Sequence, residues 1–188
     1  MNALDIISRE QWGARNATGT HRRMSRYDGF VIHHSSGPQP NDGAATVRAI
    51  QVLHQENSNF GFIDIGYNFL IDGSGQIFQG RPRLGDQLAR GAHSPGVNST
   101  RIGVCLLGCF HPPAANCDAA PSEEQIDSLV ELCRHLIMRQ RIVEPRLGGH
   151  RDHRQTACPG DVLFSRLDEV RDRIAEPFTM SLPRPMGP

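Results

Sequence analysis

Residues 148–161, with the sequence GGHRDHRQTACPGD, decide how the rest of the chain is interpreted. They place an imidazole, His150, and a thiol, Cys158, eight residues apart in a stretch rich in glycine, proline and polar residues. That composition is typical of a loop, in which both side chains can converge on one point. Because zinc accepts neutral imidazole and thiolate ligands together, a zinc site is the simplest hypothesis.

A catalytic zinc site typically uses three protein ligands and leaves a fourth position for water, so a third ligand is needed. The best candidate lies in residues 30–36, FVIHHSS, where an apolar strand runs into His33 and His34. Successive side chains of a strand point to opposite faces, so we expect only one of the two to bind. The pattern alone does not choose between them.

Two residues beside His150 are further candidates. Asp152 stands close enough in sequence to hydrogen-bond a ligand and fix its tautomer. His153 is a fallback ligand, because a spacing of three suits a helix. The glycines before His150 and Pro159 after it argue against a regular helix here.

The composition excludes several classes of function. The chain has 188 residues, of which 38% are hydrophobic, enough for one well-formed core. Twenty basic and twenty acidic residues give a formal charge of zero, which argues against nucleic-acid binding. All twenty basic residues are arginine, so a lysine nucleophile is excluded. No apolar run reaches the ~18 residues needed to span a membrane.

Hydrophobic periodicity alternates between strands and helices. Ser122 and Gln125 form a capping-box pattern, Asn41 or Asp42 suits the cap of an earlier helix, and Trp12 is expected to pack in the core. His54 is expected to be a surface or partly buried histidine rather than a ligand. The predicted strands are 27–34, 64–70, 76–79, 101–107 and 146–149, and the predicted helices are 44–57, 122–139 and 162–174.

The fold class that follows is α/β, with a mixed central sheet flanked by helices on both faces and zinc in a surface groove. We expect one domain over residues 1–176 and a flexible, proline-rich tail over residues 177–188.

The chain has five cysteines. With Cys158 assigned to metal, Cys109 and Cys117 flank a short loop containing proline and could pair in an oxidising compartment. Cys105 lies in an apolar strand and Cys133 in a helical pattern, so both are expected to be small buried residues.

Several ordered motifs together resemble one known family. The zinc-dependent N-acetylmuramoyl-L-alanine amidase family includes phage lysozyme-type amidases, bacterial amidases and animal peptidoglycan recognition proteins. The resemblance covers roughly residues 5–175. It rests on the segments SREQWGAR (8–15), VIHHSSG (31–37), GYNFLIDGSGQIFQGRP (66–82), GAHSPGVNSTRIGVCLLG (91–108) and GHRDHRQTACPGD (149–161).

The resemblance implies roles for individual residues. It points to His33 as the ligand that joins His150 and Cys158 at zinc. It gives Tyr67 a catalytic hydroxyl that orients water or stabilises the developing oxyanion. Thr156 occupies the second catalytic position, where phage relatives carry lysine, and it can donate a hydrogen bond but no charge.

The resemblance also implies a substrate. Peptidoglycan would bind in a polar groove lined by His34, His93 and Asn98, with His93 either touching substrate or supporting a ligand. A zinc-activated water would cleave the amide that joins N-acetylmuramic acid to L-alanine of the stem peptide. The alternatives are a peptidoglycan-binding module without catalysis, which usually lacks the cysteine ligand, and a structural zinc protein, which would need a fourth ligand.

The N-terminal residues lack the charged-then-apolar pattern of a signal peptide. We therefore expect an enzyme that reaches the periplasmic or extracellular wall by lysis or a dedicated secretion system, and a cytoplasmic recycling role fits as well. We expect a monomer that binds peptidoglycan, without nucleic-acid or membrane partners. An immunity protein would be a further partner if the chain acts as a secreted toxin.

Overall fold

The computed structural model describes residues 4–57, 59–112, 117 and 120–176, so the predicted tail at 177–188 lies outside the described residues. Within these ranges the elements follow one another as β1 (Gly29–His34), α1 (Gly43–Glu56), β2 (Phe69–Ile71), β3 (Ile77–Gln79), β4 (Arg83–Leu84), β5 (Gln87–Leu88), β6 (Arg101–Leu106), α2 (Glu123–Gln140), β7 (Arg146–Gly149), a 3₁₀ turn (His150–Asp152), α3 (Asp161–Ser165) and α4 (Leu167–Ala175).

The central sheet has five strands in the order β3-β2-β6-β1-β7. Strands β2, β6, β1 and β7 pair in parallel, whereas β3 pairs antiparallel with β2 at one edge. Strands β4 and β5 form a separate two-stranded ribbon. The mixed sheet predicted from the sequence is confirmed.

Helices cover both faces of the sheet, also as predicted. Phe30 and Ile32 of β1 join a hydrophobic cluster that contains residues of α2 and α4. On the opposite face Leu70 and Cys105 pack in a cluster with Trp12 and with Val47 of α1. Alternating strand side chains thus supply two cores, as expected for a sheet buried on both faces.

Both helix caps follow the sequence signals. The Asp42 carboxylate accepts a hydrogen bond from the backbone N–H of Ala45 at 2.9 Å and caps α1. Ser122 and Gln125 form a complete capping box at the start of α2, as predicted. Trp12 is fully buried and donates its indole N–H to the Gln79 carbonyl at 2.7 Å, so its expected packing role is confirmed.

A buried carboxylate ties the N-terminal segment to α1. Asp64 is fully buried, and it lies 3.0 Å from both the Arg9 guanidinium and the His21 imidazole. The Gln51 amide donates to the same carboxylate at 2.6 Å. A buried charge needs partners of this kind, so the network fixes how the N-terminal segment sits on the domain.

The cysteines lie where the sequence suggested. Cys109 and Cys117 are joined by a disulfide, and Cys105 and Cys133 are buried. None of the helices in the described part of the chain is long and apolar enough to cross a membrane.

One predicted strand is wrong in its bounds, because 64–70 contributes only Phe69–Ile71 to the sheet. Side chains take several hydrogen bonds of the preceding backbone. The N–H of Gly66 donates to the His54 ring at 3.0 Å, and the Ile65 carbonyl accepts from the Arg81 guanidinium at 2.8 Å. His54 itself is buried, more deeply than the surface or partly buried position that was expected.

The single helix predicted at 162–174 is also wrong, because it is broken into α3 and α4 at Arg166. The Ser165 hydroxyl donates to the Val162 carbonyl at 2.8 Å, and the N–H of Arg166 bonds to Leu163 in a tighter turn. Such local bonds compete with the regular helical pattern and explain the break.

Candidate metal centre

Parallel strand pairing brings two of the candidate ligands together. Strand β1 lies between β6 and β7, and it ends with His33 and His34. Strand β7 ends at Gly149, immediately before His150. Because parallel strands end at the same edge of a sheet, these histidines become neighbours. The ring centroids of His33 and His150 are 4.5 Å apart.

The loop after β7 returns Cys158 to the same point. Within this loop the N–H of Arg151 donates to the Cys158 carbonyl at 3.1 Å, and its guanidinium binds the Ala157 carbonyl and the Asp161 carboxylate. The Cys158 Sγ therefore lies 3.6 Å from Nδ1 of His33. The ligand atoms of His33, His150 and Cys158 all lie within 4.8 Å of one another.

These three side chains fit a zinc ion. Ligand atoms around tetrahedral zinc stand roughly 3.3–3.6 Å apart, given bonds of about 2.0–2.3 Å. The Nε2 atom of His150 is buried and has no hydrogen-bond partner among the described residues. A buried nitrogen without a partner is costly in a folded protein, and a metal ion would satisfy it. Two imidazoles and a thiol also match the ligand preference of zinc.

The electrostatics of the cluster favour neutral histidines. Burial lowers the pKa of His33 well below its usual value, and the neighbouring histidines lower it further. Burial also lowers the pKa of His150, with Arg154 as the next cause. Burial raises the pKa of the Cys158 thiol to about 11, so a metal ion must displace a proton there.

The structure groups His33, and not His34, with the other two ligands. Nδ1 of His34 accepts a hydrogen bond from the N–H of Phe110 at 3.3 Å, and its ring lies against His111. His34, His111 and Cys109 form a second cluster of ligand atoms within 4.8 Å. The sulfur of Cys109 is bonded to Cys117, however, so this cluster offers no thiolate.

Tyr67 lies at the candidate metal centre. Its ring centroid is 5.1 Å from that of His33. Burial raises the pKa of Tyr67 well above its usual value, and the thiols of Cys105 and Cys158 contribute to the same shift. The hydroxyl therefore stays protonated near neutral pH. Sequence reasoning missed the contact with Cys105, although the pairing of Cys105 opposite His33 in neighbouring strands carries the signal.

Thr156 and Asp152 support the ligand loop. The Thr156 hydroxyl accepts a hydrogen bond from the N–H of Cys158 at 3.3 Å. The Asp152 carboxylate accepts one from the N–H of Gly149 at 2.8 Å, so it holds the turn that carries His150. His153 follows this 3₁₀ turn and lies outside the group of three ligand atoms.

His93 and Asn98 lie behind the candidate metal centre. The Nδ1 atom of His93 is 3.0 Å from Nε2 of His33, and its Nε2 atom is 3.2 Å from the Arg101 carbonyl. Burial lowers the pKa of His93 to about 3. The Asn98 side-chain oxygen accepts hydrogen bonds from the N–H groups of His93 and Ser94. His93 and Asn98, which were predicted to bind substrate, thus use these polar atoms for hydrogen bonds within the protein.

Two adjoining cavities form a groove over the cluster. One has a volume of about 310 Å³ and is lined by His34, Thr156 and Cys158 among others. The other has about 380 Å³ and is lined by His33, His93 and Asn98 among others. The linings share four residues, which mark the junction of the cavities: His54, Phe60, Tyr67 and His150. Sequence reasoning missed His54 and Phe60.

Comparison with known proteins shows the family of the chain. A family model described as N-acetylmuramoyl-L-alanine amidase matches residues 23–161. Peptidoglycan-recognition protein SC2 of Drosophila simulans is 32% identical over 168 residues, which cover 87% of this chain and 85% of that protein.

Two solved structures share the fold. A variant of Drosophila PGRP-LB in complex with tracheal cytotoxin is 29% identical, with a TM-score of 0.74, covering 87% of this chain and 92% of that chain. N-acetylmuramoyl-L-alanine amidase LysC from Clostridium intestinale is 26% identical, with a TM-score of 0.70, covering 92% and 98%. The chain therefore belongs to the N-acetylmuramoyl-L-alanine amidase family, which its ordered sequence motifs had predicted.

Proposed function

We propose that this protein is a zinc-dependent peptidoglycan hydrolase that cleaves the amide between N-acetylmuramic acid and L-alanine of the stem peptide. The observation that carries the proposal is the convergence of His33, His150 and Cys158 at the junction of the groove, where the buried Nε2 of His150 has no partner in the described chain. Three ligands with access to an open groove are the arrangement of a catalytic zinc site.

Amide hydrolysis needs a strong nucleophile, stabilisation of charge on the carbonyl oxygen and a proton for the leaving amine. A zinc ion held by these residues would act as a Lewis acid and would lower the pKa of a water molecule toward ~7. His33 and His150 would hold it as neutral imidazoles, and Cys158 would hold it as a thiolate. The thiolate reduces the net charge of the site to about +1, which makes the ion a weaker acid than three histidines would.

Tyr67 and Thr156 supply the remaining polar groups. The raised pKa of Tyr67 keeps its hydroxyl protonated, so it can donate a hydrogen bond to the developing oxyanion. Thr156 accepts from the N–H of Cys158 and keeps its own hydrogen to donate into the groove that it lines. Neither side chain carries a positive charge.

The lining of the groove suits a ligand with both polar and apolar parts. Leu53 and Phe60 are 50% and 43% exposed and line the groove, so they offer apolar contacts. Arg154 and Asn59 line the other cavity and offer polar ones. A muramyl peptide combines a sugar, a lactyl ether and a charged peptide, and PGRP-LB was solved with tracheal cytotoxin. Because this substrate is a component of the cell wall, we propose that the protein acts at the cell wall.

Peptidoglycan binding without hydrolysis is the second candidate. The names of the peptidoglycan-recognition relatives favour it. The retained set of two imidazoles and a thiol argues for hydrolysis instead, because pure recognition does not require a metal with an open position.

The test is digestion of purified sacculi by the zinc-loaded protein, followed by mass analysis of the products. We expect stem peptides with a new L-alanine amino terminus and glycans with a free lactyl carboxylate. Cys158→Ala should abolish the release, because it removes a ligand. Cys133→Ala is the matched control, since Cys133 is buried in α2 and lies outside the ligand cluster.

Two results would contradict the proposal. Zinc-loaded protein that binds sacculi and releases no peptide would identify a recognition module. Full hydrolysis by Cys158→Ala would remove Cys158 from the metal site.

A further inference from the structure

A chain of hydrogen bonds runs from the backbone of β6 to the candidate metal centre. Nε2 of His93 lies 3.2 Å from the carbonyl oxygen of Arg101, and Nδ1 of His93 lies 3.0 Å from Nε2 of His33. On the other side of the same ring, Nδ1 of His33 lies 3.6 Å from Sγ of Cys158. The two contacts of His93 are buried, and the contact of His33 with Cys158 is partly buried.

This series of hydrogen bonds determines which ring nitrogens of His93 and His33 carry a proton. A carbonyl oxygen only accepts, so Nε2 of His93 must carry the hydrogen. A neutral His93 then has an unprotonated Nδ1, which can only accept. The donor to it must be Nε2–H of His33. Nδ1 of His33 is therefore left with a free lone pair, and this is the nitrogen that faces Cys158.

The ring of His93 sits in a slot formed by two glycines. A Cβ added to Gly103 would stand 2.3 Å from Cδ2 of His93, and one added to Gly91 would stand 2.4 Å from the same atom. No side chain fits at either position without displacing the ring. Asn98 holds the backbone that carries the ring, because its side-chain oxygen accepts a hydrogen bond from the N–H of His93 at 2.9 Å.

We propose that His93 is a positioning residue that sets the tautomer and ring orientation of His33, and thereby the zinc affinity of the site. The sequence left open whether His93 touches substrate or supports a metal ligand. Its two ring nitrogens contact the Arg101 carbonyl and His33, and Gly91, Gly103 and Asn98 hold the residue in place. The inference rests on the proposed zinc-dependent function, and it assigns these residues to metal binding rather than to substrate binding.

The main test measures the dissociation constant for Zn²⁺ by competition with a chromophoric chelator. For His93→Leu we expect affinity to fall 10- to 100-fold, the usual effect of removing a group that orients a metal ligand. His93→Gln should bind zinc more tightly than His93→Leu, because one amide oxygen can accept from His33 while the amide nitrogen donates to the Arg101 carbonyl.

A second pair of variants leaves every polar atom of the site unchanged. Gly103→Ala should lower zinc affinity in the same direction as His93→Leu, because its Cβ displaces the ring. Gly37→Ala is the control, since a Cβ there meets nothing within 4 Å. We expect it to bind zinc as the unaltered protein does.

A spectroscopic readout separates positioning from general support of the fold. In ¹⁵N-labelled protein without metal, imidazole NMR should find the His33 proton on Nε2. In His93→Leu the proton should redistribute between the two nitrogens, and His93→Gln should restore it to Nε2. A protein that is merely destabilised would keep the tautomer of its folded fraction.

Two results would overturn the inference: wild-type zinc affinity in both His93→Leu and Gly103→Ala, or a His33 proton on Nδ1 in the unaltered protein. If His93→Leu does not fold, Gly103→Ala and the NMR spectrum of the unaltered protein still decide. Zinc binding without release of stem peptides would contradict the proposed hydrolysis alone, whereas hydrolysis with unchanged affinity in the variants would contradict the role of His93 alone.

Discussion

Zinc binding to this protein should depend on pH through Cys158. Burial raises the pKa of its thiol to about 11, so only about one molecule in 10⁴ carries the thiolate near pH 7. The pKa values of His33 and His150 are both lowered, so these ligands are already neutral at that pH. Binding therefore releases one proton from the ligands, and the proton comes from sulfur.

Because binding releases one proton, the size of the pH effect on the zinc dissociation constant can be predicted. The dissociation constant for Zn²⁺ should fall about tenfold for each unit that the pH rises, because the metal competes with a single proton at Cys158. The assay is chelator competition between about pH 7 and 8.5, above the ordinary histidine pKa of about 6.5 and further above the lowered pKa values of His33 and His150. Proton release can also be measured directly, by calorimetry in buffers of different ionisation enthalpy.

Cys158→Asp is the matched variant, since a carboxylate is ionised throughout this range and can still bind zinc. Its plot of log Kd against pH should be shallower than that of the unaltered protein by one unit of slope. Any proton lost from a bound water enters both plots and cancels in the difference. Equal slopes would refute the reasoning, because they would mean that Cys158 is not the group that loses a proton.

Three further predictions concern stability. Asp64→Asn should lower the free energy of unfolding in urea by about 1–3 kcal/mol, because an amide nitrogen replaces a carboxylate oxygen that accepts hydrogen bonds from buried and partly buried donors. Glu56→Gln, at an exposed ion pair, should cost no more than about 1 kcal/mol, and equal losses would contradict this account. Reduction of the Cys109–Cys117 disulfide should cost about 2–3 kcal/mol by chain entropy, and an unchanged urea midpoint would contradict it. Burial lowers the pKa of His54 to about 4, below its unfolded value of 6.5, so its stabilising share is present above pH 6.5 and is lost as the pH falls toward 4. This contribution to the free energy of unfolding is roughly 3 kcal/mol. In metal-free protein, His54→Gln should therefore reduce the dependence of the unfolding free energy on pH between 6.5 and 4.

The candidate ligand set could be predicted from the sequence because it depends on strand order. An apolar run ending at His33 and a short strand ending before His150 place both residues at strand ends. The choice between His33 and His34 came only from family resemblance. The direction in which a strand-end side chain points depends on register against neighbouring strands, and here β1 lies between β6 and β7.

The sequence left the role of His93 open between contact with substrate and support of a metal ligand. Its motif, Gly91-Ala-His93, shows a histidine in a polar, glycine-rich loop, which suggests exposure to a ligand. The ring is instead buried against Gly103, ten residues further along the chain, in a glycine slot that exists only after β6 has joined the sheet. The break between α3 and α4 was also missed, because residues 162–174 have the apolar periodicity of one continuous helix. The break depends on a hydrogen bond from Ser165, which periodicity does not reveal.

Three adjacent parallel strands therefore carry both the placement and the tuning of the candidate metal centre. Strand β1 presents His33, β7 leads into His150, and β6 contributes the Arg101 carbonyl and the Gly103 slot that hold His93. Since β6 pairs with β1 along its whole length, the acceptor and the ligand keep a fixed separation. A substitution in β6 that never touches the groove should thus change metal affinity, whereas one in an exposed loop of the groove wall should change substrate binding alone.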